Sequence, residues 1–147
     1  MIRTHTVLAF DFGLKRIGIA SGDTLTRQAA PRPAAAFGRA GPDWERIARE
    51  VRVLAPELLV VGAPYNAAGG EGELSAAVRA FAAELERRFT LPVALVDERF
   101  SSLEAGAALK ERRASGQRRR RIGRADVDSA AAAVILARWF AGEGEVR

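Results

Sequence analysis

An α/β domain, with a mixed β-sheet and helices on its faces, is the fold class this sequence predicts, and three observations predict it. Short apolar runs of strand length recur along the chain, "VLAFDF", "ELLVVGAP" and "LPVALVDE". Segments with helical periodicity separate them, so strand and helix alternate through the second half. A glycine-containing turn near the start folds the first strand back on a second, which adds antiparallel pairing to an otherwise parallel pattern. The 147 residues, 48% of them hydrophobic, suffice for one domain spanning 1–147 with a real core.

Val7, Ala9 and Asp11 alternate with Leu8, Phe10 and Phe12. Both faces are apolar, as expected for a central strand covered on both sides. Gly13-Leu14-Lys15 turns the chain into a second strand, "RIGIAS". The segment from Leu25 to Phe37 holds Pro31 and Pro33 and reads as a loop or an edge strand. Pro42 suits the first turn of a helix, and "DWERIAREVRVL" carries the helical period. "ELLVVGAP" is a buried strand stopped by Pro64, "YNAAGGEGE" a loop, and Leu74 to Phe89 a helix. After the strand "LPVALVDE", Ser101 and Glu104 form a capping box that opens a short helix. The stretch "SGQRRRRIGR" has no apolar period and is expected to be mobile. A last helix covers about Asp126 to Ala141. Trp44 and Trp139 fall at helical core spacing and read as packing residues.

The chain has no cysteine. That excludes disulfides, thiolate ligands and a cysteine nucleophile. No secretory signal is visible, and the late run "SAAAAVILARWFA" is too short for a bilayer. The expectation is a soluble, cytoplasmic protein with no membrane partner. The net charge of +5 is local: Lys110 to Arg124 holds eight cations against Glu111 alone, while the rest of the chain is mildly acidic. Such a patch points to a polyanionic partner, with a solvated loop as the alternative.

Three carboxylates stand in unusual places. Asp11 and Glu98 end strands, and Asp128 shares a stripe with Ala132, Ile135 and Trp139 on the last helix. Asp126 points about 200° away from that stripe and suits the N-cap. Each acid alone has a structural explanation, an ion pair with a nearby arginine or a favourable place at a helix start. Together, if folding converges them, their repulsion calls for a cation. Oxygen donors, with His5 near the terminus and no cysteine, favour Mg²⁺ or Mn²⁺. Such a site can hydrolyse phosphodiesters. Lys15, Arg16 and Arg99 flank it and either touch substrate phosphate or neutralise the acids. Arg118, Arg119, Arg120, Arg121 and Arg124 would then dock a nucleic-acid backbone.

The blocks "LAFDFGLKRIGIASGD", "LLVVGAPYNAAGGEG", "VDERFSSLEA" and "VDSAAAAVIL" resemble, in order, the signature blocks of the YqgF/RuvX family of Holliday-junction-resolvase-like proteins. The resemblance spans about residues 5 to 141. It implies an RNase H-like fold with a five-stranded mixed sheet. It also implies a metal-dependent nuclease acting on RNA, such as pre-16S rRNA ends in a pre-ribosomal particle, or on branched DNA. Carried over by position, the family's metal-binding catalytic acids fall on Asp11, Glu98 and Asp128. The chain departs from the pattern at Leu14, in the "NAAG" loop and at Ser101-Ser102, and no acid follows "VVGAP", where four-acid junction resolvases carry one. Two other functions fit parts of the sequence. "DFGLKRIG" resembles a phosphate loop of the actin and sugar-kinase group, which needs a second domain. The arginine run alone would suffice for a non-catalytic RNA-binding ribosome-assembly factor.

Overall fold

The computed structural model describes residues 5–13, 15–63, 73–97, 124–142 and 144–146. Ser101, Glu104, Glu98, Arg99 and the Lys110–Gly123 part of the basic run lie outside the described residues.

β1 (Thr6–Phe12) occupies the middle of the sheet. It pairs antiparallel with β2 (Arg16–Asp23) and parallel with β5 (Leu58–Ala63). Beyond β2 comes β3 (Ala29–Gly38), then β4 (Gly41–Pro42). Beyond β5 come β6 (Val93–Asp97), parallel to it, and β7 (Gly144–Val146), antiparallel to β6. The sheet is therefore mixed, as the sequence predicts. Its five long strands are joined among the described residues by two short ones, β4 and β7. Helix α1 (Trp44–Leu54) and helix α2 (Glu73–Phe89) cover one face, and helix α3 (Arg124–Phe140) covers the other.

The alternation in β1 assigns the faces. Leu8, Phe10 and Phe12 pack with Ile47 of α1 and Val78, Phe81 and Leu85 of α2. Val7 and Ala9 pack with Ile135, Leu136 and Phe140 of α3. Trp44 stacks on Phe81, with ring centroids 5.5 Å apart, and Trp139 packs against the α3 core; both tryptophans are packing residues.

The turn after β1 has a steric reason for glycine. A Cβ on Gly13 would come within 2.6 Å of the Arg16 carbonyl oxygen. The proline-rich segment forms a strand, with its irregularity beside Pro33. Ile17 faces Ala35 and Ile19 faces Arg32, so Gly18 stands against Pro33 and Ala34 in a bulge.

Two helix starts differ from expectation. Pro42 pairs with Phe37 in β4 and lies outside α1; Asp43 caps the helix by accepting from the Arg46 N–H. The last helix begins at Arg124, so Asp126 is inside its first turn and is not the N-cap. The two preceding residues expected to be loop, Arg124 and Ala125, already have helical backbone, which leaves Asp126 no capping position.

Candidate active site

Asp11 is half-buried near the C-terminal end of β1, on the face covered by α3. Its two sheet neighbours are glycines, Gly18 on β2 and Gly62 on β5. Neither adds a side chain beside the carboxylate. Gly62 in turn faces Val96 of β6, which links Asp11, Gly62 and Val96 in one row across three strands. The bulge at Gly18 lies in the same row. Bulges recur beside active sites because they re-aim side chains.

Helix α3 is held against this face in a regular register. At one end, a Cβ on Gly22 would stand 3.1 Å from both Leu136 Cδ2 and Phe140 Cε2, so the absence of a side chain lets α3 approach closely. Further along, Ala132 packs with Ala20. Next, the Ser129 hydroxyl donates to the Arg32 carbonyl oxygen at 2.6 Å, in the row of Ile19. α3 thus runs alongside β2 in the same direction, with its N-terminal turns towards the Asp11 end. Asp128 is the fifth residue of the helix, immediately before Ser129.

The cations divide similarly. Lys15 is exposed in the turn after β1, and its carbonyl accepts from the Phe37 N–H. Arg16 falls on the α3 face, diagonal to Asp11 across the hairpin, with its Nη1 shielded from solvent. Arg124 begins α3. His5 lies at the opposite end of β1, where its ring contacts Glu57 and its backbone N–H donates to Thr24 Oγ1 at 2.9 Å. It is remote from Asp11.

An ionic brace that sequence reasoning missed lies behind the bulge. Glu50 of α1 is only 3% exposed. It accepts from Arg32 Nε and Nη2, each at 3.2 Å, and from Arg46 Nη2 at 2.6 Å. Arg46 Nη2 also donates to the Pro33 carbonyl oxygen at 2.8 Å. Burial alone would raise the Glu50 pKa, but the hydrogen bonds and positive charges of Arg46 and Arg32 outweigh it and hold the carboxyl below its ordinary value. Arg32 therefore contacts α1 through its side chain and α3 through its backbone. Nothing local in the sequence signals this, because Glu50 and Arg32 are 18 residues apart and each reads as a surface charge.

The carboxylate of Asp11 is an oxygen donor of the kind hard cations take. Among the described residues no three metal-ligating side chains converge. Glu98 is outside the described residues, and only the backbone is described for Asp128.

The comparisons with known proteins agree with this architecture. The RuvX family model, described as Holliday junction resolvase, matches residues 5–142. A protein of Pectobacterium carotovorum named "Putative pre-16S rRNA nuclease" is 40% identical over 139 residues, covering 95% of this chain and 97% of that protein. A protein of the same name from Edwardsiella ictaluri is 42% identical over 136 residues, covering 92% and 94%. Among solved structures, Thermus thermophilus RuvC in complex with a Holliday junction substrate superposes with a TM-score of 0.57 at 20% identity, covering 97% of this chain and 99% of that one. RuvC of the same organism in a second structure gives 0.54 at 16% identity, with the same coverage. The sheet order and these likenesses establish the RNase H-like fold. With nearly its whole length matched by the family model and by relatives at about 40% identity, the chain belongs to the RuvX (YqgF) family of nuclease-like, Holliday-junction-resolvase-type proteins.

Proposed function

We propose that this protein is a divalent-metal-dependent nuclease that hydrolyses phosphodiester bonds in RNA, its substrate the immature ends of 16S rRNA. One observation carries the reading: the register that brings the start of α3 towards Asp11. Leu136 meets Gly22 and Ala132 meets Ala20, four helix residues for two strand residues. Four helical residues rise about 6 Å and two strand residues about 6.7 Å, so the steps match. One further step leads from Ala132 to Asp128 and from Ala20 to Gly18, the partner of Asp11. Glu98 follows from the alternation of Ala94 and Val96, which share the α3 face, Ala94 in the row of Ala9 and Val96 in the row of Asp11.

In this reading Asp11, Glu98 and Asp128 hold Mg²⁺ or Mn²⁺. The ion, when bound, offsets the phosphate charge and makes water a better nucleophile at neutral pH. Water attacks the phosphorus, the phosphodiester bond to the leaving oxygen breaks, and that oxygen takes up a proton. Lys15 and Arg16 steady the scissile phosphate, with Arg99 beside Glu98. Arg118 to Arg121 and Arg124 track the backbone. The names of the relatives support RNA as the substrate class.

The test is cleavage of end-labelled RNA and DNA by purified protein with Mg²⁺, with Mn²⁺ and with chelator. Wild-type protein cleaves RNA only with metal, and Asp11→Asn abolishes cleavage while keeping its melting temperature and RNA binding. Full activity of Asp11→Asn, or cleavage in chelator, overturns the proposal. RNA binding by the wild type without turnover in either metal also overturns it, and selects an RNA-binding assembly factor instead.

A further inference from the structure

Ser129 is 3% exposed at the head of a run of four alanines, Ala130 to Ala133, and the chemistry above makes no use of it. A hydroxyl in such a place costs free energy unless it is hydrogen-bonded. An alanine would fit the packing and the helix propensity better. The bond it makes is specific: Ser129 Oγ donates to the Arg32 carbonyl oxygen at 2.6 Å, across 97 residues of sequence. That carbonyl belongs to the bulged part of β3, where Arg32 faces Ile19 and the irregularity begins at Gly18. Arg32 is itself anchored from the other side by its two hydrogen bonds to buried Glu50. A continuous line of contacts thus runs from α1 through β3 to the first turns of α3.

The packing of α3 needs such a pin. Its contacts with β2 are made by Ala132 against Ala20 and by Leu136 and Phe140 against Gly22. Leu136 and Phe140 hold the C-terminal half, whereas the alanines next to Ser129 present little relief to fix the first turns along the helix axis. A hydrogen bond from a short, stiff side chain to a fixed carbonyl supplies the missing axial restraint. It acts one residue from Asp128.

We propose that Ser129 is a positioning residue: its hydrogen bond to Arg32 sets the axial register of α3, and thereby the delivery of Asp128 to the Asp11 end of the sheet. The proposal rests on the nuclease reading for the role of Asp128. It does not require Ser129 to touch substrate or ion.

The test uses the full-length protein and three variants. Ser129→Ala removes the hydroxyl, Ser129→Cys keeps the volume with a weak donor and guards against misfolding, and Ser129→Thr keeps the hydroxyl. Mn²⁺ binding by the substrate-free protein is measured by electron paramagnetic resonance, and RNA cleavage is measured as kcat and KM. Ser129→Ala and Ser129→Cys are expected to weaken Mn²⁺ binding and lower kcat by about tenfold or more, the usual effect of losing a group that orients a ligand. KM changes less than kcat, and Ser129→Thr restores both readouts. Wild-type Mn²⁺ affinity and kcat in a folded Ser129→Cys or Ser129→Ala variant overturn the proposal. Failure of Ser129→Thr to restore function while Ser129→Cys is active does the same. Asp11→Asn runs alongside: if it still binds Mn²⁺ and cleaves RNA, the nuclease reading has failed, and not the positioning role alone.

Discussion

Asp11 is unusual because of what stands beside it. A carboxylate ending a central strand faces glycine on both neighbouring strands, Gly18 and Gly62. Those two positions are where a side chain would compete with a ligand for the space next to the carboxylate. Gly62→Val is therefore expected to reduce metal-dependent RNA cleavage at least tenfold while the protein still melts cooperatively; a thermal melt and a cleavage time course check it. Asp11 was legible in the sequence because strand alternation exposes a charge on an otherwise apolar face. Gly18 and Gly62 were not, since only the register of three strands reveals that they flank it. Ser129 was equally hidden, because a serine in "DSAAAAVIL" reads as helix filler until its partner on β3 is known.

Glu50 adds a second consequence at the same scale. Its carboxyl titrates below its ordinary value in the folded protein, chiefly because hydrogen bonds from Arg46 and Arg32 override the effect of burial. A depressed carboxylate contributes stability above its unfolded pKa, about 4.3, and loses it as pH falls through the folded value. Acid titration of stability should therefore show a loss below about pH 4.3 that is reduced in Glu50→Gln. Glu50→Ala removes the partner of Arg32 and Arg46, both partly reached by solvent, and should cost about 1–3 kcal/mol at pH 7 in a urea melt.

Among the elements, α1 shows how local signals and tertiary demands divide the work. Asp43 caps its start, and Ala55 ends it with φ 46°, donating its N–H to the Val51 carbonyl oxygen. The left-handed conformation is the usual place for glycine, and alanine there carries strain. Ala55→Gly should stabilise the protein by about 0.5–1 kcal/mol, measured as a shift of the urea midpoint without a change in slope. The periodicity of α1 and α2 and the apolar runs of β1, β5 and β6 were readable because each is decided by its own residues. β3 was ambiguous because its prolines forbid a regular ladder. Its pairing with β2 was settled by the bulge that accommodates Pro33. β4 and β7 had no readable signal: two and three residues pair only because the chain already lies beside a sheet edge.

The molecule as a whole joins a mildly acidic body to a strongly basic run, Lys110 to Arg124, between β6 and α3. Among the described residues no helix is long and apolar enough to cross a membrane. If about four of its arginines contact single-stranded RNA phosphates, the logarithm of the binding constant should fall with the logarithm of salt concentration with a slope of about −2.8. Replacing Arg118 to Arg121 by alanine should flatten that slope and weaken binding while leaving the melting temperature unchanged. A filter-binding titration across salt concentrations measures both. The α/β class followed from the alternation of strand and helix; the central place of β1 followed from its two apolar faces. What turns the start of α3 towards the Asp11 end of the sheet is register, and register is a property of the folded sheet.

The proposed nuclease requires metal to be gripped at that place. A crystal of the protein grown with Mn²⁺ and examined by anomalous scattering tests it. The expected result is an anomalous peak at coordination distance, roughly 2.0–2.2 Å, from a carboxylate oxygen of Asp11, with Glu98 and Asp128 completing the donor set. A peak bound elsewhere, or an Asp128 carboxylate turned away from Asp11 with Mn²⁺ present, would contradict it.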